Sequence, residues 1–198
     1  MSALRSLLAA GVVAAGLGGG TAVAQETRTA IFAGGCFWCT ESDFDHVEGV
    51  VATTSGYIGG EVDNPTYRQV SSGGTGHYEA VKIEYDPSRV SYESLVEAYW
   101  PTVDPLDAGG QFCDRGDQYR TAIFVADEAE RQAAEASKAK AEQRLGREVV
   151  TPVLDAATFY PAEDYHQDYY LKNPLQYKFY RLSCGRDARL DEVWGGTS

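Results

Sequence analysis

Methionine is nearly missing from this chain: Met1 is the only one in 198 residues. Basic residues are also scarce, with 17 Lys and Arg against 29 Asp and Glu and a net charge of −12. So acidic a chain is a poor candidate for wrapping nucleic acid or an anionic membrane surface, since it would set like charge against phosphate. Cysteine is limited to Cys36, Cys39, Cys113 and Cys184. Four thiols at unequal spacing do not make the framework of a disulfide-stapled miniprotein. There is no internal repeat and no long linker.

The N-terminal stretch MSALRSLLAAGVVAAGLGGGTAVAQ has one basic residue, Arg5, then an apolar and small-residue run ending Ala22-Val23-Ala24. The run is interrupted by glycines and falls short of the ~20 predominantly apolar residues of a membrane span. Residues 1–24 are therefore expected to be a secretory signal cut before Gln25, leaving no stable membrane insertion. The protein is expected to be exported, to the periplasm. Residues 25–198 leave 174 positions (198 − 24) for a single catalytic domain, ample for one hydrophobic core. Export would expose the cysteines to an oxidising compartment, where disulfides persist.

Thr27–Phe32 reads as a buried strand running into two glycines, and Cys36–His46 as a helix. Val50–Ile58 and Ala80–Tyr85 alternate as strands, separated by a long Gly-, Asn- and Ser-rich loop. Ser91 caps a helix reaching Trp100. Pro101–Asp117 is a second long loop, and Thr121–Val125 a strand. Asp127–Leu145, rich in Ala, Glu and Lys, is a helix stopped by Gly146. Glu148–Leu154 is a last strand, and Tyr165–Tyr170 a short helix. This order predicts an α+β two-layer sandwich, a ferredoxin-like mixed sheet with helices packed on it and long active-site loops.

The stretch GGCFWCTE, residues 34–41, admits three chemistries. Cys36-x-x-Cys39 at a strand-to-helix junction suits a redox dithiol, because free N–H groups at a helix start lower a thiol's pKa. That reading makes the chain an exported thiol–disulfide oxidoreductase, although a bulky Phe37-Trp38 pair fills the middle. A zinc knuckle needs a second ligand pair, and neither Cys113 nor Cys184 has a neighbour at ligand spacing. A metal- or peptide-binding domain is the corresponding non-enzymatic alternative. The third reading is a single nucleophile, Cys36, with Phe37 and Trp38 as an apolar wall; the same two aromatics would serve equally as core. Glu163-x-x-His166 has the spacing of one di-iron unit, but a single copy reads as an ordinary polar patch. His77 and His166 read as structural hydrogen-bonders.

Gly35-Cys36-Phe37-Trp38 resembles the nucleophile motif of the A-type peptide methionine sulfoxide reductases. Asn64-Pro65-Thr66-Tyr67-Arg68, Gly76-His77-Tyr78-Glu79-Ala80-Val81, Asp114-Arg115-Gly116 with Gln118-Tyr119-Arg120, and Phe159-Tyr160 through Tyr165-His166-Gln167 follow in the family's order. The resemblance spans residues 31–194. It implies reduction of peptidyl or free methionine S-sulfoxide in the repair of oxidised proteins. Cys36 would be the nucleophile, Glu79 the proton donor with a pKa raised by burial, Tyr67 and Tyr119 hydroxyls on the sulfoxide oxygen, and Asp114 an organiser of the pocket. Phe37 and Trp38 would hold the S-methyl group. A chain working among oxidants has reason to lack methionine, although chance suffices in one this short.

The same resemblance implies no bound cofactor and no metal. Cys36 would become a sulfenic acid, and a second thiol would convert it to a disulfide reduced by thioredoxin or a similar external dithiol. Relatives carry the resolving thiol in a Gly-rich tail, whereas this tail reads Lys178-Phe179-Tyr180-Arg181-Leu182-Ser183-Cys184-Gly185. Cys184 is the expected resolving residue. Cys39, one turn from Cys36, and Cys113, beside Asp114, are the alternatives.

Overall fold

The computed structural model describes residues 26–195. The expected signal, residues 1–24, lies outside them. In chain order the elements are β1 (Arg28–Gly34), α1 (Phe37–Asp45), β2 (Val50–Ile58), α2 (Tyr67–Ser71), β3 (Tyr78–Tyr85), α3 (Tyr92–Tyr99), β4 (Gly110–Gln111), β5 (Asp114–Arg115), β6 (Thr121–Val125), α4 (Glu128–Leu145), β7 (Val153–Asp155), β8 (Tyr160–Pro161), α5 (Tyr169–Lys172), α6 (Pro174–Ser183) and α7 (Arg186–Trp194).

The main sheet runs β7-β6-β1-β3-β2-β8. Its central four strands, β6-β1-β3-β2, pair antiparallel and are linked β1-α1-β2 and β3-α3-β6, two split βαβ units. That is the ferredoxin-like arrangement expected. α4 then returns the chain so that β7 adds parallel to β6, which makes the sheet mixed. Asp127 caps α4 through the Glu130 N–H, and Gly146 ends it at φ 62°, a left-handed position that glycine takes without strain.

Strand alternation separates two apolar layers. Phe32, Val81, Ile83, Ile123 and Val125 join Phe44, Tyr92, Leu95, Val96 and Tyr99 from the helices in the main core. Ala33, Ala80, Ala122 and Phe124 face the opposite side with Ile58 and Tyr78. Glu79 shares parity with Val81 and Ile83, so its side chain points into the helix-covered face rather than to solvent.

Four sequence expectations change. The long 61–77 loop contains α2, nucleated by a capping box in which Thr66 and Gln69 satisfy each other's backbone N–H groups. The Glu148–Leu154 strand shrinks to Val153–Asp155, because Pro152 has no N–H for the ladder. The helix expected over Tyr165–Tyr170 begins only at Tyr169. The tail quoted from Lys178 to Gly185, given no element from the sequence, ends α6, and α7 follows it. Among the described residues no helix is long and apolar enough to cross a membrane.

Candidate active site

β1 ends in Gly34, and Gly35 turns the chain at φ 85°. A Cβ on Gly35 would sit 2.6 Å from the Cβ of Gln111, so both conformation and space require glycine. Cys36 follows as the N-cap of α1, its carbonyl accepting from the Cys39 N–H at 3.1 Å. The nucleophile candidate thus stands at the helix start, as a redox thiol should.

Cys36, Phe37, Trp38, Tyr67, Glu79, Asp114 and Tyr119 all line one cavity of about 70 Å³, together with Tyr180. Each arrives on a different support. Phe37 and Trp38 come from the first turn of α1, Glu79 from the buried middle of the sheet, Tyr67 from α2, Asp114 from β5 and Tyr119 from the 3₁₀ turn Asp117–Tyr119. Glu163 fixes two of these supports, accepting from the Tyr67 N–H at 2.9 Å and from the Tyr57 hydroxyl at 2.9 Å.

Glu79 is 1% exposed, and its carboxylate accepts from the Phe37 backbone N–H at 3.1 Å. Burial raises its pKa to about 8 against that hydrogen bond, with the Asp114 charge adding to the rise. At neutral pH Glu79 therefore holds a proton it can donate. Burial also pushes the Tyr67 hydroxyl up to about 12, and Tyr119 upward from its ordinary range. Both phenols remain hydrogen-bond donors.

The Cys36 thiol behaves differently from a helix-start thiolate. Burial raises its pKa well above the ordinary value, and Cys39 and Glu79 add to the shift. In this low-dielectric pocket desolvation outweighs the helix N-terminus.

Phe37 lies among the rings of His166, Tyr57 and Tyr67 at 5.0, 5.9 and 6.5 Å, so it is cavity wall and core at once. The Trp38 indole stacks on Tyr169 at 3.7 Å and donates to His166 Nδ1 at 3.0 Å. That bond places the imidazole proton on Nε2. His77 accepts from the Gly60 N–H at 3.1 Å and meets the Val62 carbonyl at 2.8 Å. Both histidines form hydrogen bonds within the fold.

Tyr180 was not singled out from the sequence. Its hydroxyl donates to Asp114 Oδ2 and also meets Cys36. One of thirteen tyrosines, it carries no local motif beyond lying four residues before Cys184. Cys184, at the end of α6, is joined to Cys113 in a disulfide. Its sulfur lies 4.0 Å from Asp114 Oδ2, one side chain away from the cavity. Cys36 and Cys39 are free and buried.

A family model described as peptide methionine sulfoxide reductase matches residues 28–198. The chain is 51% identical over 197 residues to peptide methionine sulfoxide reductase MsrA 2 of Caulobacter vibrioides, covering 99% of this chain and all of that one. Methionine sulfoxide reductase A of Corynebacterium diphtheriae superposes with a TM-score of 0.68 at 36% identity, over 75% of this chain and 76% of that one. Reduced Mxr1 from Saccharomyces cerevisiae gives 0.72 at 28% identity, over 75% and 86%.

Proposed function

The chain belongs to the peptide methionine sulfoxide reductase family, and on that premise we propose how its cavity performs the reduction. The S-methyl end of a methionine S-sulfoxide, free or in a protein, enters between Phe37 and Trp38 with its sulfur toward Cys36 Sγ. Its oxygen meets the hydroxyls of Tyr67 and Tyr119 and the Glu79 carboxyl. The cysteine sulfur attacks the sulfoxide sulfur as Glu79 protonates the oxygen, which makes it a leaving group. The S–O bond to the methionine sulfur breaks as the hydroxyl passes to the cysteine sulfur, the transient bond between the two sulfurs breaks, methionine departs as the thioether, and Cys36 is left as sulfenic acid. Glu79 recovers its proton from the thiol consumed, so the step balances. Asp114, held by Tyr180, keeps the far side of the pocket in place.

The convergence of Cys36, Glu79, Tyr67 and Tyr119 on one aromatic-walled cavity carries this reading. The alternative of a general thiol–disulfide oxidoreductase is not favoured, since it gives no work to Glu79 or the two phenols. Recycling uses an external dithiol of the thioredoxin kind and no bound cofactor. Cys184 and its exposed partner Cys113 form the station where that dithiol acts, and reduced Cys184 then carries the electrons inward. Mxr1 of Saccharomyces cerevisiae forms a complex with Trx2, in keeping with such a partner.

Residues 1–24 direct the chain to the periplasm, and residues 25–198 act as one catalytic domain. The mature N-terminus of periplasmic protein should be Gln25; retention of Met1 would remove the signal. For the chemistry, Cys36→Ser should abolish methionine formation from the separated S-sulfoxide with dithiothreitol as reductant. Residual turnover in that variant, or equal use of the R-sulfoxide, would contradict the assignment.

A further inference from the structure

We propose that Cys39, held beside the charge of Arg186, is the thiol that condenses first with the Cys36 sulfenic acid, and that Arg186 is its positioning residue. The proposal rests on the reductase reading above.

Cys39 is one helical turn from Cys36, 2% exposed, and hydrogen-bonded to the Cys36 thiol. It is the only other cysteine not already in a disulfide. Arg186 is also 2% exposed, and its charge acts on Cys39. One end of the guanidinium donates to the Gly34 carbonyl at 3.3 Å, two residues before Cys36. The other donates to Asp43 Oδ2 at 3.2 Å and to the Thr102 carbonyl at 2.6 Å. Asp43 and Cys39 are four apart on α1 and share a helix face. The guanidinium lies over the Phe112 ring at 4.6 Å, and its Nε, buried, has no acceptor.

Charge balance points the same way. Asp43 also accepts from Arg181 at 2.8 Å, so two guanidiniums meet one shielded carboxylate. Asp187, the second partner of Arg181, is 55% exposed. A buried cation without full compensation is costly, and a thiolate at Cys39 would supply the missing charge. The hydrogen bond from Cys36 lowers Cys39 to about 7, with Arg186 assisting against burial. The groups facing Cys39 are Cys36 and Asp43 on its own helix, Glu79 from β3, Tyr177 and Arg181 from α6, and Arg186 from α7.

In the step itself the Cys39 thiolate attacks the sulfur of Cys36–SOH. The S–S bond forms, the S–O bond breaks, and hydroxide leaves as water after taking one proton. Cys39 is oxidised and Cys36 reduced. Electrons from Cys184 or an external dithiol later reopen this buried disulfide.

The test is one turnover of pre-reduced Cys113→Ser/Cys184→Ser protein with a peptide methionine S-sulfoxide, without reductant. One methionine per chain and a Cys36–Cys39 cross-linked peptide are expected by mass spectrometry. Adding Cys39→Ser should preserve a dimedone-trappable sulfenic acid on Cys36. In the same background Arg186→Gln should slow condensation at pH 7 about tenfold and move its pH midpoint upward by a unit or so, with Arg186→Lys restoring part of the shift. Should Arg186→Gln not fold, the lone Cys39 of Cys36→Ser/Cys113→Ser/Cys184→Ser protein can be titrated by its thiolate absorbance, with a midpoint expected below about 8.5. Persistent sulfenic acid in the Cys39-containing protein removes Cys39 as resolver. An unmoved midpoint in folded Arg186→Gln, or an ordinary or higher Cys39 midpoint, removes Arg186. Failure to form methionine at all would instead overturn the reductase reading.

Discussion

The Glu79 carboxylate and the Phe37 backbone N–H are 3.1 Å apart, so the proposed proton donor is tied to the first turn of the helix that presents Cys36. The bond spans from the middle of the sheet to the helix layer. It holds acid and nucleophile in one frame, and movement of either element disturbs both.

Because burial raises Glu79 to about 8, the donor is protonated at neutral pH and ionised above it. kcat/KM should therefore lose one proton-dependent factor as pH rises through about 8. Glu79→Gln should lower the first-turnover rate by about 10²-fold or more. The stability sign is the same: a raised folded pKa stabilises at low pH and is lost as pH climbs through 8. A pH-rate profile rising through 8 would contradict the acid role.

Glu41 offers a second titration, away from the cavity. Both its carboxyl oxygens are buried, and burial raises its pKa to about 7 against the Asp168 N–H and the Ser55 hydroxyl, helped by the Asp45 charge. The folded chain thus binds that proton more tightly than the unfolded chain, and stability falls as pH rises from about 4.5 to 7. Glu41→Gln should gain on the parent as pH rises, by about 3 kcal/mol at pH 8 and nothing at pH 4. Urea unfolding at both values measures it.

Tyr180 and Asp114 form a third testable pair. Tyr180→Phe leaves the part-buried Asp114 carboxylate without its phenol donor. Removing a hydrogen bond to a charged group should cost about 2 kcal/mol of stability. A loss of kcat/KM with Cys36 should accompany it, read in the same dithiothreitol assay.

The Cys113–Cys184 disulfide closes a separation of 71 residues. By loop entropy alone such a bridge contributes about 4 kcal/mol, an upper figure when the unfolded chain is compact. Cys113→Ser should lower the thermal midpoint and slow thioredoxin-driven turnover more than dithiothreitol-driven turnover. Equal effects on both would deny the disulfide a place in recycling.

Much of the cavity was legible because its parts sit in short motifs. Cys36, Phe37 and Trp38 are contiguous, and Glu79 and Tyr119 lie in pieces whose order is distinctive. The β1-α1-β2 and β3-α3-β6 units followed from strand alternation and from the cap at Ser91. What escaped depends on long-range packing. α2 was masked by a turn-rich context, although Thr66-x-x-Gln69 was its signature. Tyr180 and Arg186 act through α6 and α7, whose placement against α1 no local pattern encodes. The pairing of Cys184 with Cys113 depends on the same docking. The acidity of Cys36 was misjudged from the helix start alone, because burial dominates there.

The central claim is that Cys36 takes the sulfoxide oxygen while Glu79 supplies the proton. Its most direct test is a single turnover of Cys39→Ser/Cys113→Ser/Cys184→Ser protein with peptide methionine S-sulfoxide, followed by dimedone and mass spectrometry. One methionine per chain and one adduct on Cys36 are predicted, with both slowed together by Glu79→Gln. No methionine, or methionine formed without an adduct on Cys36, would contradict the account.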